Sequence, residues 1–219
     1  MSEKKKKKGK LIIVSGFSGT GKGTMIAKLM ERHPGKYAFS VSATTRKPRP
    51  GEEDGREYHF VDHTRFEEMI ASDELLEHTS FSGNYYGTPA APIDEMLAAG
   101  QNIILDIEVT GMHQVTYRRS DTLTAFIIPP SEEELIKRLT GRGTESKEQI
   151  VRRLTRATEE AAFANEYGCI IKNGDLEQSV DELEAYIETE SQDPRLHAEN
   201  LRLTESISKE LKRYISKEI

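Results

Sequence analysis

The chain has 219 residues, 36% of them hydrophobic and 31% charged, enough apolar material for a sizeable core in one lobed domain or two small ones. Its formal net charge of −6 is uneven: residues 1–10 hold six Lys and one Glu, whereas residues 11–190 hold 19 basic against 31 acidic side chains, a surplus of about 12 negative charges that argues against broad DNA or RNA binding. One cysteine excludes an intrachain disulfide framework and a Cys-based zinc cluster, and with no apolar run of membrane-span length the expectation is a cytoplasmic protein with neither membrane nor nucleic-acid partners.

Residues 1–10 are a run of like charge with nothing to bury and read as a disordered basic arm. Leu11 to Val14 is fully apolar and β-rich and ends in Ser15-Gly16, the pattern of a central parallel strand. A helix follows with Met25, Ile26, Leu29 and Met30 on one face, ending near Pro34-Gly35. From Thr44 to Gly55 the chain is rich in Pro, Gly and charge. Strand-like pieces at Tyr58 to Val61 and Leu75 to Phe81 then flank a helical segment at Phe66 to Ala71, giving a mixed α+β insertion over 42–88.

Asn102 to Leu105, ending in Asp106, and Thr124 to Ile128, ending in Pro129-Pro130, are two further buried strands. Ser131-x-x-Glu134 reads as a capping box opening a helix with Leu135, Ile136 and Leu139 inward. Gly141-Arg142-Gly143 puts glycine hinges before a second helix, opened by Ser146-x-x-Gln149, with Ile150, Leu154, Ala157 and Ala161 on one face, so 141–166 reads as a lid. Cys169, in an apolar run, reads as a small buried hydrophobe. A helix from Asp175 follows, and a helical extension over 191–219 carries a stripe of Leu203, Ile207, Leu211 and Tyr214. Packing on its own chain is the simplest reading of that stripe. A self-association helix is the sharper alternative, leaving monomer and homodimer both open. Strands alternating with helices give an α/β fold: a parallel sheet with helices on both faces, core segments 11–41, 89–140 and 167–190.

Gly16-Phe17-Ser18-Gly19-Thr20-Gly21-Lys22 follows a buried strand and opens a helix, the context of a P-loop. Glycines let backbone N–H groups turn inward around phosphate, the helix N-terminus adds partial positive charge, and Lys22 neutralises the terminal phosphates. The general motif places a hydroxyl after the lysine, whereas this chain has Gly23 and then Thr24. Mg²⁺ is therefore expected on the nucleotide phosphates and water, with no direct protein ligand, while Thr24 can still reach an inner phosphate. Arg46 and Arg49, three apart in a proline-stiffened loop, can clamp one phosphate with fixed forks.

The Gly-Lys-Gly-Thr ending of the loop is similar to those of nucleoside monophosphate kinases. Together with Ser42 to Glu52, Gly55-x-x-Tyr58-x-Phe60 and Gly83 to Thr88, it resembles the guanylate kinase family over residues 11–190. The resemblance implies an ATP site of Gly16, Phe17, Ser18, Gly19, Thr20, Gly21, Lys22, Gly23 and Thr24 with Arg138, Arg142 and Asn173. It implies a GMP site of Ser42, Arg46, Arg49, Tyr58, Glu77, Tyr86, Thr88, Asp106 and Glu108, with Glu77 reading guanine. Asp106 is similar to the family's metal-side or ribose-side acid, with Mg²⁺ near it, and Glu108 stands where the family commonly has Asp. Lys22, Arg46, Arg142 and Arg153 are the implied catalytic side chains, and the reaction is ATP + GMP giving ADP + GDP, with dGMP a further acceptor. A phosphate monoester has its second pKa near roughly 6, so the attacking oxygen is already anionic and needs no general base. None of the six histidines shows metal-ligand spacing.

Overall fold

The apolar run at the start of the chain forms β1 (Leu11–Gly16), every residue of it buried. In this computed structural model, which describes residues 8–141 and 146–218, it leads into α1 (Lys22–Arg32), β2 (Tyr37–Phe39), β3 (Ala43–Thr44), β4 (His59–Phe60), α2 (His63–Ala71), β5 (Leu75–Phe81), β6 (Asn84–Pro89), α3 (Ala90–Ala98), β7 (Asn102–Asp106), α4 (Val109–Arg118), β8 (Leu123–Ile128), α5 (Glu132–Thr140), α6 (Lys147–Glu160), a 3-10 segment (Ala161–Glu166), β9 (Cys169–Lys172), α7 (Leu176–Thr189) and α8 (Pro194–Glu218). One sheet has the order β2-β7-β1-β8-β9 and the other β4-β3-β6-β5. The described residues divide into two compact units, one within 8–12 and 34–122, the other within 13–33 and 123–218.

The first unit contains the parallel pair β2 and β7 and the whole second sheet, in which β3 pairs in parallel with β4 and antiparallel with β6, and β5 pairs antiparallel with β6. Ala43, Phe66, Met69 and Leu75 form its core, with Phe66 stacked on Tyr85 at 5.2 Å. Burying each large apolar side chain stabilises by about 1.5–3 kcal/mol. The helix expected from Phe66 starts three residues earlier because Asp62 caps it, accepting from the Arg65 N–H at 2.7 Å. The strand expected over Tyr58 to Val61 shortens to two residues: Tyr58 gives its carbonyl to the Gly55 N–H, forming a turn.

In the second unit β8 pairs in parallel with β9. Phe126, buried on β8, packs edge-on to Phe17 at 5.6 Å and against Tyr167 at 5.0 Å. Ser146 and Gln149 form the expected reciprocal capping box on α6. At Ser131 only half of one forms, since Glu134 turns its carboxylate to Arg138 at 2.9 Å. The apolar face that opens on Ile150 is buried at Leu154 and Ala157, and α6 gives way to the 3-10 segment at Ala161.

α8 packs on its own chain, against α5, α6, the 3-10 segment and β9. Its buried face runs Asn200, Thr204, Ile207, Ser208 and Leu211, with Leu203 and Tyr214 only half-buried at its margin. The expected stripe is thus rotated by polar members that have partners. Asn200 donates to the Ile170 carbonyl at 2.7 Å, and Thr204 to the Asn200 carbonyl at 2.8 Å. Gln192 completes the outer edge of β9, donating to the Ile170 carbonyl at 2.8 Å and accepting from its N–H at 3.0 Å, so this edge has no open ladder there. Cys169 is buried, which pushes its thiol up to about 12. Among the described residues no helix is long and apolar enough to cross a membrane.

Candidate active site

The loop between β1 and α1 holds three glycines with left-handed or otherwise positive φ, at Gly16, Gly19 and Gly21. Gly16 is required on two counts: its φ is +132°, and a Cβ there would sit 2.1 Å from the Ile127 carbonyl oxygen. The Phe17 N–H donates to that carbonyl at 3.2 Å, pinning the loop to the strand below. Within the loop, Thr20 closes a turn by donating its N–H and hydroxyl to the Phe17 carbonyl at 3.3 and 2.9 Å. Lys22, on the first residue of α1, arches back over the loop. Its Nζ donates to the Gly16 carbonyl at 2.7 Å and the Phe17 carbonyl at 3.3 Å. An ammonium has three donors, so one remains for an anion. Gly23 and Thr24 follow, exposed in the first turn of α1, where the helix dipole favours negative charge.

Three further predicted residues of the same unit gather on this loop. Arg153, from α6, donates from Nε and Nη2 to the Ser18 hydroxyl at 3.0 and 2.8 Å. Arg138, from α5, bonds Glu134 and also donates to the Thr20 carbonyl at 3.1 Å and the Asn173 carbonyl at 3.3 Å. Asn173 is buried and donates its own amide to the Thr20 carbonyl at 2.7 Å. The Thr20 carbonyl therefore ties the loop to α5 and to the end of β9. Neighbouring Asp175 caps α7, accepting from the Gln178 N–H at 2.9 Å. On α6, Arg156 has a carboxylate beside it, Glu160 at 3.6 Å. Arg142 lies outside the described residues.

The other predicted residues lie on the first unit. Arg46 follows β3, and its guanidinium bonds Glu52 through two parallel contacts at 2.9 and 3.0 Å while lying over the rings of Tyr58 and Phe60, 5.3 and 5.7 Å from their centroids. Glu52 also accepts the Arg49 N–H at 2.7 Å. That pairing holds Glu52 below the usual carboxylate range and Arg46 above its usual value, the hydrogen bonds between them being the largest cause. Arg49 thus joins the cluster through its backbone, while its side chain is exposed. Tyr86, on β6, meets Tyr58 edge-on at 6.0 Å. Ser42 is half-buried, and its carbonyl accepts the His59 N–H at 2.9 Å.

Glu77, on β5, and Thr88, on β6, stand opposite each other in the ladder, and both are buried. The Thr88 hydroxyl donates to Glu77 Oε1 at 2.6 Å. Burial pushes the Glu77 carboxyl above the usual range. The Thr88 bond works against that rise, and the charge of Glu108 adds to it. Asp106 is exposed at the end of β7, and Glu108 precedes the first residue of α4 without capping it. Among the described residues no group of three or more His, Cys, Asp or Glu could hold a metal ion.

Two participants carry no sequence signal of their own. Glu52 is six residues from Arg46 in an irregular loop, where no periodicity pairs them. The Thr20 carbonyl is a backbone group, invisible to side-chain motifs.

The loop thus carries a poised lysine, and the second sheet carries a buried carboxylate, Glu77. The family model described as guanylate kinase matches residues 8–190. A guanylate kinase of Trichodesmium erythraeum is 50% identical over 176 residues, 80% of this chain and 94% of that one. That of Carboxydothermus hydrogenoformans is 46% identical over 188 residues, 86% and 92% of the two chains. The crystal structure of guanylate kinase from Anaplasma phagocytophilum aligns with a TM-score of 0.66 at 29% identity, covering 86% of this chain and 89% of that one. With the family matched across both the loop and the sheet, at this identity and over nearly the full length of the relatives, the chain belongs to the guanylate kinase family.

Proposed function

We propose that the chain transfers the γ-phosphoryl group of ATP to GMP, and to dGMP, giving ADP and GDP or dGDP. The observation that carries the acceptor assignment is the buried Glu77 carboxylate, held by Thr88 at 2.6 Å. An ionised carboxylate accepts from the N1–H and N2–H₂ of guanine. Adenine offers neither donor and would leave that charge unpaired in a dry site. Arg46 takes the GMP phosphate in place of Glu52, whose two oxygens already trace how a planar anion meets its fork. Arg49, Ser42, Tyr58 and Tyr86 complete the phosphate side, and Asp106 and Glu108 the nucleoside side. Functionally, 42–88 is the GMP-binding insertion and 141–166 the lid.

Residues 16–24 wrap the ATP phosphates, with Lys22 supplying its third N–H, and Arg138 and Asn173 fix the loop's shape through the Thr20 carbonyl. Arg153, docked on Ser18, adds charge as it builds on the transferring group, and Arg142 joins it. The kinase chemistry calls for a divalent cation, and Mg²⁺ fits. The ion would be carried on the ATP phosphates and water, with Thr24 toward an inner phosphate. When bound, Mg²⁺ supplies charge neutralisation on the phosphate oxygens. The attacking phosphate oxygen is anionic at neutral pH, so catalysis rests on positioning and charge.

Lys22→Ala tests the reading. ADP release with ATP and GMP should fall by about a hundredfold or more while the melting temperature stays within a few degrees. Turnover near the wild-type value would remove the loop from the reaction.

A further inference from the structure

We infer that Gly111 is a specificity-determining position for the acceptor base, because its missing side chain leaves the room in which the Glu77 carboxylate faces the base. The inference rests on the guanine reading of Glu77 given above. Gly111 is the third residue of α4. Its φ is not positive, so the backbone does not demand glycine there, and glycine is the poorest helix former after proline. The requirement is steric. A Cβ on Gly111 would lie 3.0 Å from Glu77 Oε2, 3.4 Å from Glu77 Cδ and 3.2 Å from Ile107 Cδ1.

Glu77 has little freedom to yield. It is buried, its Oε1 is held by the Thr88 hydroxyl at 2.6 Å, and Thr88 is fully buried and in register with it on the adjoining strand. Glu108 lies at the start of the same helix, and its charge already opposes that of Glu77. Pushing the carboxylate aside therefore costs either the Thr88 bond or the orientation of Oε2, the oxygen that Thr88 does not hold. The α4 backbone comes close enough to the carboxylate that an added Cβ would force it to shift by a few tenths of an ångström. A helix-weakening residue at this place is explained by the close approach of the Glu77 carboxylate.

The test is steady-state kinetics and thermal unfolding of the full chain carrying Gly111→Ala. KM for GMP should rise about tenfold or more, since a displaced reading group forfeits alignment. KM for ATP should stay within about twofold, and the melting temperature should fall by only a few degrees, the helix preference of alanine offsetting part of the crowding. In a Glu77→Asp background, where the carboxylate is one methylene shorter, the added methyl should cost less than half as much in KM, a coupling that a purely packing role would not produce. If Glu77→Gln leaves KM for GMP unchanged, the guanine reading fails and this inference with it. If Glu77→Gln raises that KM and Gly111→Ala does not, the guanine reading stands and this inference is overturned. A Gly111→Ala chain that unfolded far below the wild type, or raised both KM values equally, would mark a packing position and also overturn it.

Discussion

Replacing Glu77 by Gln keeps the shape of the side chain and removes its charge. The amide oxygen can still accept the Thr88 hydroxyl that now reaches Oε1 at 2.6 Å, so the local fold has no reason to change. Toward guanine, however, an NH₂ group replaces an acceptor. One hydrogen bond to a charged group, worth about 1.5–3 kcal/mol, is lost, and a donor is left facing a donor in a buried site. Together these amount to about 3–4 kcal/mol, a fall of roughly a hundredfold to a thousandfold in kcat/KM for GMP, with KM for ATP unchanged.

Stability should move the other way. Burial holds the Glu77 carboxyl above its usual range, so the folded chain binds that proton more tightly than the unfolded chain does. This contribution is fully present below the ordinary glutamate pKa and is lost as the pH rises through the raised one. At pH 8 the wild type therefore bears a buried charge that the Gln variant lacks. The variant should melt at the same temperature or higher, and its advantage should shrink toward pH 4. Melting curves at both pH values and steady-state kinetics with GMP and ATP varied in turn are the assay. A variant with unaltered use of GMP, or one less stable at pH 8 than at pH 4 relative to wild type, would refute the reasoning.

The loop and the C-terminal helix make separate predictions. Gly16→Ala forces a side chain onto a φ of +132° and into the Ile127 carbonyl. It should destabilise by about 4 kcal/mol or more and abolish ATP binding, so denaturant unfolding with a loss under about 1 kcal/mol would contradict the described turn. Leu211 is fully buried under α8, and Leu211→Ala should cost about 2–5 kcal/mol. A change below about 0.5 kcal/mol would mean that α8 does not pack on its own chain.

What the sequence makes legible follows from burial. Leu11 to Val14, Ile103 to Leu105 and Ala125 to Ile128 are apolar throughout because these stretches of β1, β7 and β8 are buried at every position, and their ends locate the loop and Asp106. α8 is harder to read. Asn200, Thr204 and Ser208 lie on its buried face, where hydrogen bonds such as that from Asn200 to the Ile170 carbonyl make polar residues acceptable, so hydropathy alone turns the stripe by about one position. In the site, Lys22 and the glycines announce themselves because phosphate binding needs a contiguous motif. The bond between Arg46 and Glu52 and the approach of Gly111 to Glu77 join residues whose spacing is set by tertiary structure.

The acceptor profile of the unmodified chain bears most directly on the central claim. ADP release from ATP is measured with GMP, dGMP, AMP, CMP and UMP in turn. GMP should be used best, dGMP next, and AMP at least about a thousandfold less well in kcat/KM, as expected of a buried acceptor that only guanine satisfies. Equal use of AMP and GMP would contradict the account, as would GMP binding without phosphoryl transfer to it.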